Sequence, residues 1–420
     1  YGIIKQEGMR QMKKKVLIIG GGVAGLTAAI TLRKNNHEVW VLERNDRPLK
    51  KLLLTGNGKC NYWNQDQAIT HYHSTTEELL PELITSTRQQ AVLDFFDSIG
   101  IIPRIKNGYY YPFSNQASSM VESLYLSAVD QGVNMLTNLF VEDVIVQDNQ
   151  FIVNPMKEKI TGDSLIVATG SMAYPKTGSD GMGYKIAKSF GHHIVPVMPA
   201  LVQLKMKESD LKDWKGIRCE ARLESLVNGK VIQEESGELQ LTEYGISGIC
   251  TLNISSKLAR SLAARDKVEV AIHFLPWLST KQEVETYLEN RASLFPSRTL
   301  EELLETILPY KLVHVLFNHY KVDFKKKWHT LTQQEKDTVS RFLFCHVVEI
   351  VGTNSFDQSQ VCSGGVPLTE VHLETLESKY QKNLYFAGEV LDVNGDCGGY
   401  NLGFAFLSGI LAGKKVGNDQ

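Results

Sequence analysis

Six residues near the start of the chain, Gly20-Gly21-Gly22-Val23-Ala24-Gly25, restrict the fold more than any other segment. The apolar run Val16-Leu17-Ile18-Ile19 precedes them, and Leu26, Ala29 and Ile30 follow at helical spacing. A polar turn, Asn35-Asn36-His37-Glu38, leads into Val39-Trp40-Val41-Leu42. The order is strand, turn, helix, turn, strand. Short uninterrupted apolar strands in such a βαβ unit suit a parallel sheet covered on both faces.

The glycines match G-x-G-x-x-G in the context that gives the match meaning. Gly20 permits a tight turn, Gly22 lets the backbone approach a pyrophosphate, and Gly25 lets helix and strand pack closely. Val23 and Ala24 open the helix, whose free N–H groups and positive dipole end favour phosphate. Glu43 closes the second strand and can accept both hydroxyls of a ribose. The alternative is an ordinary βαβ turn.

This turn alone fits NAD as well as FAD. Near the other end, Asn383-Leu384-Tyr385-Phe386-Ala387 reads as a strand ending at Gly388-Glu389, able to hold the ribityl and phosphate part of a long dinucleotide. Gly399-Tyr400-Asn401-Leu402 then opens a final helix carrying Ala405, Phe406, Gly409 and Ile410. Its N-terminus would stabilise the negative charge that develops at the flavin N1/O2 edge on reduction. NAD needs no such second grip, so FAD is the expected cofactor. The competing reading is a helix that only packs on the sheet.

Between the two ends the grammar changes twice. Ser164-Leu165-Ile166-Val167-Ala168 is a strand ending at Thr169-Gly170, and a Gly/Pro-rich stretch follows through Gly183. After Pro196 and Pro199 the chain reads as short alternating strands, for example Ala221 to Leu226 and Lys267 to Ile272. From Ser279 to about His346 the pattern is helical. Thr299 with Glu302 and Thr332 with Glu335 are capping boxes, and Leu300, Leu303, Leu304, Ile307 and Leu308 form one apolar stripe. The stripe reads as packed core, and Lys325-Lys326-Lys327 as a solvated face.

The expected fold is therefore α/β: a Rossmann-like FAD-binding domain built from both chain ends, with an inserted β-rich, barrel-like domain and a helical subdomain. Its boundaries are 12–199, 200–278, 279–349 and 350–420. Residues 1–11 read as an extension before a start at Met12, with Met9 as the alternative.

In these segments and others the chain resembles the aminoacetone-oxidase-like family of bacterial flavoproteins, which also holds members linked to bile-acid enone reduction. The resemblance runs nearly end to end. It includes Leu54-Thr55-Gly56-Asn57-Gly58-Lys59-Cys60-Asn61, similar to the family's S-G-G-G-R-C-N segment. It continues through Ala168-Thr169-Gly170, Tyr174-Pro175-Lys176-Thr177-Gly178, Thr242-Glu243-Tyr244-Gly245-Ile246-Ser247-Gly248, and Tyr385 to Asn401. Asn57 and Lys59 stand where the family has Gly and Arg. Leu241 and Glu243 replace Phe and His, Ile249 replaces Pro, and Cys362 and Cys397 replace small or hydroxylated residues. These departures concern the substrate rather than the fold.

The resemblance implies inserts that cover the flavin and a segment, Thr55 to Asn61, that wraps it. The cofactor-binding set then comprises Gly20, Gly22, Val23, Ala24, Gly25, Glu43, Arg44, Lys51, Thr55, Gly56, Asn57, Gly58, Cys60, Asn61, Val141, Thr169, Gly170, Gly388, Glu389, Gly399, Asn401 and Leu402. Cys60 reads as a buried packing thiol rather than a redox partner, and Cys397 as the one residue that could form a covalent flavin link; non-covalent FAD is expected.

Composition excludes several other classes. A formal net charge of -2 over 420 residues lacks the basic surplus of a nucleic-acid binder. No apolar run approaches the roughly 20 residues of a membrane span. None of the 6 cysteines forms a C-x-x-C pair, so neither a zinc site nor a redox dithiol is expected, and reduced thiols fit a cytoplasmic protein. His192-His193 reads as a turn and His273 as structural.

A flavin accepts hydride while the protein orients the substrate, so few titrating groups are needed. A base near N5 could be Tyr174 or Tyr244. With one dinucleotide fingerprint and no second, the leading expectation is an oxidase of a small amine, aminoacetone or an amino acid, passing electrons to O2 to give hydrogen peroxide. The alternative is an NAD(P)H-dependent reductase of activated C=C bonds. A non-catalytic FAD-holding module would waste the enclosed cavity that two inserts imply.

Overall fold

The computed structural model describes residues 13–416 apart from 155, 158 and 208–210. The expected extension over 1–11 and start at Met12 lie outside the described residues. The chain divides into two compact units, Tyr1–Val197 with Val361–Gln420, and Met198–Gln360.

The first unit is organised by strands β1 (Lys15–Ile19), β2 (Glu38–Leu42), β3 (Asn134–Leu136), β4 (Ser164–Val167), β5 (Val371–His372), β6 (Glu377–Ser378) and β7 (Leu384–Phe386). They form a seven-stranded sheet in the order β5-β6-β7-β4-β1-β2-β3. From β7 to β3 the pairing is parallel; β5 and β6 add an antiparallel edge. Val16, Leu17 and Ile18 are fully buried, which is why β1 carries no polar alternation. Ile18 sits between Ile166 of β4 and Val41 of β2, and Ile166 pairs in turn with Tyr385 of β7, so the first and last thirds of the chain share one sheet.

Helix α1 (Val23–Lys34) packs along α2 (Tyr400–Lys415). Small residues make this approach close. A Cβ on Gly409 would lie 2.5 Å from the Ala24 carbonyl oxygen, and one on Gly413 would lie 2.8 Å from that of Ala28. The two ends of the sequence are thus locked together through both the sheet and a helix pair.

The second unit contains a closed barrel whose neighbour order is Leu204–Met206, Gly245–Ser247, Lys230–Leu241, Arg218–Val227, Val268–His273 and His346–Thr353. The last strand pairs back onto the first, with Leu204 opposite Thr353. Helices Lys281–Leu294, Leu300–Leu304, Tyr310–Tyr320 and Gln333–Phe344 share one apolar core with it, joining Leu204, Leu223 and Ile272 to Leu300, Leu312 and Leu343.

Three features depart from the sequence reading. The β-rich and helical inserts, bounded separately at 200–278 and 279–349, share one core. The insert ends at 360, not 349, because His346–Thr353 closes the barrel. Helix Ile249–Ala263 lies inside the segment read as strands: Cys250, Ile254 and Leu258 recur every fourth residue and are buried, but the Ser and Thr between them imitate a two-residue alternation.

The expected capping boxes at Thr299 and Thr332 are both present, and Thr280 with Glu283 makes a third. Lys325 and Lys326 are taken by Glu301 and Glu335, as a solvated charged face would be.

Candidate functional site

The glycine-rich turn joins β1 to α1. Gly20 has a φ of 106°, and a Cβ there would lie 2.4 Å from the Ala168 carbonyl oxygen on the neighbouring strand. A Cβ on Gly25 would fall 2.0 Å from the Gly20 carbonyl oxygen, so this position has room for no side chain at all. Gly22 differs: it is the N-cap of α1, has an ordinary φ of -77°, and a Cβ would meet nothing within 4 Å. No side chain caps the helix, and its first backbone bond runs from Leu26 N–H to the Gly22 carbonyl. The N–H groups of Val23, Ala24 and Gly25 precede the first intrahelical bond and lie at the positive end of the helix, next to the open space at Gly22, the arrangement that receives a phosphate.

Glu43 is buried at the end of β2. Its Oε2 accepts the Gly21 N–H at 2.8 Å, and its Oε1 accepts the backbone and side-chain N–H groups of Asn45 at 2.7 and 2.8 Å. A carboxylate offers about four acceptor positions. One remains on Oε2, which is room for one ribose hydroxyl rather than the two expected from sequence. Arg44 points away toward the 178–180 loop, donating to the Gly178 carbonyl at 3.1 Å and pairing with Asp180 at 2.6 Å. Val141 is buried in the same core.

A second group gathers around Glu389. Lys51 Nζ lies 2.6 Å from Glu389 Oε2, an ion pair joining residues 338 positions apart. Ser171 approaches the same oxygen at 3.5 Å. A Cβ on Gly388 would come within 2.9 Å of the Ala24 Cβ, and one on Gly170 within 3.8 Å of Glu389 Oε2. Thr169-Gly170, Gly388-Glu389, Lys51 and the start of α1 thus converge.

The segment Leu52–Gly58 is a 3-10 stretch broken at Thr55, with Gly56, Asn57 and Gly58 at φ 55°, 53° and 80°. Its backbone folds on itself through Cys60 N–H to the Thr55 carbonyl, 3.1 Å, leaving Gly56, Asn57 and Gly58 exposed. Cys60 is fully buried, and burial pushes its thiol up to about 12, with a smaller opposing hydrogen bond from Thr55. A thiol held that far from ionising is a poor redox nucleophile. The Asn61 side-chain amide, correctly oriented, donates to the carbonyls of Tyr110 at 3.2 Å and Trp63 at 3.1 Å.

Gly399 caps α2 at φ 96°. Asn401 is committed to its own turn: Oδ1 accepts the Gly395 N–H at 2.8 Å and Nδ2 donates to the Gly395 carbonyl at 2.7 Å. Leu402 is partly buried against the core.

Sequence reasoning missed a cluster beside this helix start. Asp396 accepts from two imidazoles, His71 Nδ1 at 3.0 Å and His73 Nε2 at 2.8 Å, while Asp66 lies 3.3 Å from His71 Nε2. The His71 ring stacks on Tyr400, the first residue of α2, with centroids 4.5 Å apart. Burial pulls the His71 pKa down, but hydrogen bonds to Asp396 and Asp66 outweigh it, and the net direction is up. The local signals were the His-x-His spacing and Asp66 five residues before His71; the carboxylate shared by both imidazoles, Asp396, lies 325 residues from His71.

The two candidate bases fall in different units. Tyr174 sits at φ 56°, a left-handed conformation that costs a non-glycine residue energy. Tyr244 is 38% exposed, and its backbone carbonyl accepts the Met206 N–H at 3.0 Å. His192 and His193 are bound by Glu370 at 3.0 and 2.6 Å in a structural turn. Among the described residues, no helix is long and apolar enough to cross a membrane.

A family model described as "HI0933-like protein Rossmann domain" matches residues 14–415. The 3-dehydro-bile acid delta(4,6)-reductase of Clostridium scindens is 36% identical over 412 residues, covering 96% of this chain and 98% of that protein. The ribosomal RNA dihydrouridine synthase of Escherichia coli is 26% identical over 396 residues, covering 93% and 95%. Among solved structures, 3-ketosteroid delta1-dehydrogenase from Sterolibacterium denitrificans aligns with a TM-score of 0.50 at 11% identity, over 97% of this chain and 100% of that one; this likeness concerns the fold alone.

Proposed function

The chain belongs to the HI0933-like Rossmann-domain family of FAD-dependent oxidoreductases, and from that premise we propose that it is a reductase that saturates a C=C bond conjugated to a carbonyl, drawing its electrons from NAD(P)H. The observation that carries this reading is the 36% identity, spread over nearly the whole of both chains, to a protein named as a bile-acid delta(4,6)-reductase. Dihydrouridine is uridine with one conjugated ring double bond saturated, so the name of the more distant relative describes the same kind of hydrogen addition. Neither name refers to an amine or to oxygen, and the weight shifts from the amine oxidase expected from sequence to the reductase.

Bound FAD supplies a carrier that takes two electrons from one partner and delivers them to another. The residues present fit it. The uncapped start of α1 and the open space at Gly22 suit the pyrophosphate, the remaining acceptor of Glu43 suits a ribose hydroxyl, and Lys51 with Glu389 places charge and hydrogen-bonding capacity beside Thr169-Gly170. The substrate we propose is a small molecule, a cyclic enone of the steroid type, rather than RNA. A net charge of -2 gives no electrostatic pull on a phosphate backbone.

Anaerobic stopped-flow spectroscopy tests the proposal. NADPH or NADH should bleach the visible flavin absorption, and a 3-keto-4,6-diene should restore it. Bleaching by aminoacetone but by neither nicotinamide would return the enzyme to the oxidases.

A further inference from the structure

Glu301 and Glu305 stand one helical turn apart at the start of the segment that begins with helix Leu300–Leu304, so their carboxylates share a face. His314 comes from the next helix, Tyr310–Tyr320. Its Nε2 lies 3.1 Å from Glu301 Oε1 and 3.5 Å from Glu305 Oε1. One donor atom from each of the three residues lies within 4.8 Å of the other two.

Glu305 Oε1 and His314 Nε2 are both buried, and neither has a hydrogen-bond partner. They are close to one another but misaligned for a hydrogen bond. A buried polar atom left without a partner is costly, and an ion or water is the usual remedy. The electrostatics point to a cation. Like charges one turn apart repel, and Lys325, 2.5 Å from Glu301 Oε2, offsets only one of the two carboxylates. That bond also leaves Glu301 Oε1 turned toward the imidazole.

Neighbours hold the backbone of Glu301 and the ring of His314 in place. Thr299 and Glu302 cap the first helix reciprocally, and Glu301 N–H donates to the Phe324 carbonyl at 3.1 Å. The His314 ring packs on Tyr310 and Phe324, at 4.1 and 5.3 Å between centroids. A tetrahedral ion with bonds of about 2.0–2.2 Å has ligand-to-ligand edges of roughly 3.3–3.6 Å. The two measured separations lie within a few tenths of an ångström of that range.

We propose that Glu301, Glu305 and His314 form a binding site for a divalent transition metal, zinc first, with the fourth position open to water. One nitrogen and two carboxylate oxygens suit zinc, and the ion would pin the two helices of the insert to each other. Its imidazole ligand must be neutral, so affinity falls in acid.

The test uses the full-length FAD-loaded protein, stripped with chelator and titrated with zinc by calorimetry. One equivalent should bind, and it should raise the melting temperature. His314→Ala and Glu305→Gln should each weaken binding ten-fold or more and abolish the thermal shift, while retained flavin absorbance shows that the fold survives. Glu305→Gln is nearly isosteric and guards against collapse at His314. Because six cysteines offer rival ligands, cobalt(II) is titrated in parallel and should give d–d bands without a thiolate charge-transfer band. Zinc binding unchanged in both variants, no binding by the wild type, or a thiolate band would overturn the proposal.

Discussion

The buried carboxylate of Glu43 holds the backbone N–H of Gly21 at 2.8 Å, tying the end of β2 to the turn between β1 and α1. The residue that should recognise a ribose therefore also shapes the phosphate-binding turn. Its second oxygen is fully used by Asn45.

Glu43→Ala is accordingly expected to have two effects. It should lower the stability of the FAD-free protein by about 1–3 kcal/mol, because the Gly21 and Asn45 donors lose a buried acceptor. It should also weaken FAD binding. Turnover at saturating FAD should stay near wild type, because the interaction is shared by ground and transition states. Thermal melts with and without FAD, and rates at full flavin occupancy, check both. A large fall in kcat with flavin fully bound would contradict the assignment.

Gly22 and Gly25 separate cofactor binding from folding within one turn. Gly22→Asp has space for its side chain but places a carboxylate where the pyrophosphate should sit, so FAD binding should be lost while the far-UV circular dichroism is unchanged. Gly25→Ala drives a methyl to 2.0 Å from the Gly20 carbonyl oxygen, so the apoprotein itself should be destabilised by several kcal/mol. Normal FAD occupancy in Gly22→Asp would refute the phosphate placement.

The fold was legible where its signals are local. The β1-turn-α1-β2 unit, the strand before Gly388 and the Thr299 and Thr332 caps rest on neighbours within a few residues. What escaped rests on distant partners. The barrel's closing strand, His346–Thr353, follows a helical run and pairs with Leu204–Met206 more than 140 residues earlier. The pairing of Lys51 with Glu389, and of His71 with Asp396, requires the two chain ends to meet before either contact exists. Asn401 carried a cofactor expectation from its motif, yet its amide is spent on Gly395.

Tyr244 offers a cleaner test than Tyr174, whose left-handed backbone confounds substitution. At 38% exposure most of the Tyr244 surface is covered, while its hydrogen bond with Met206 uses only the backbone. Tyr244→Phe, which keeps the ring, should therefore change stability by less than about 0.5 kcal/mol, and Tyr244→Ala should cost about 1 kcal/mol or more. If the hydroxyl meets the reacting substrate, Tyr244→Phe should lower kcat/KM ten-fold or more, about 1.4 kcal/mol. Wild-type kcat/KM in both variants would remove Tyr244 from the chemistry.

His71 should make stability depend on pH in a defined direction. Its neighbours are Asp396, Asp66, Tyr400 and, across Asp396, His73. Burial lowers its pKa, the two carboxylate hydrogen bonds outweigh that, and the folded value lies above the free value of about 6.5. Below the free value both folded and unfolded chains bind the proton, and the stabilisation is fully present. As pH rises through the raised folded value the proton leaves and the stabilisation is lost. Other histidines oppose this: His192, His273 and His346 are lowered by burial, His346 to about 4, so their contributions are lost on acidification. A difference measurement isolates His71. The melting temperature of wild type minus that of His71→Gln should be largest near pH 6 and shrink toward pH 9, and Asp396→Asn should flatten the same slope. Staying above pH 6 keeps Asp66, whose pKa is lowered by its hydrogen bonds to Ala68 N–H and His71, ionised throughout. A difference that grows with pH would mean that His71 is held neutral and that the carboxylates serve only to orient its ring against Tyr400.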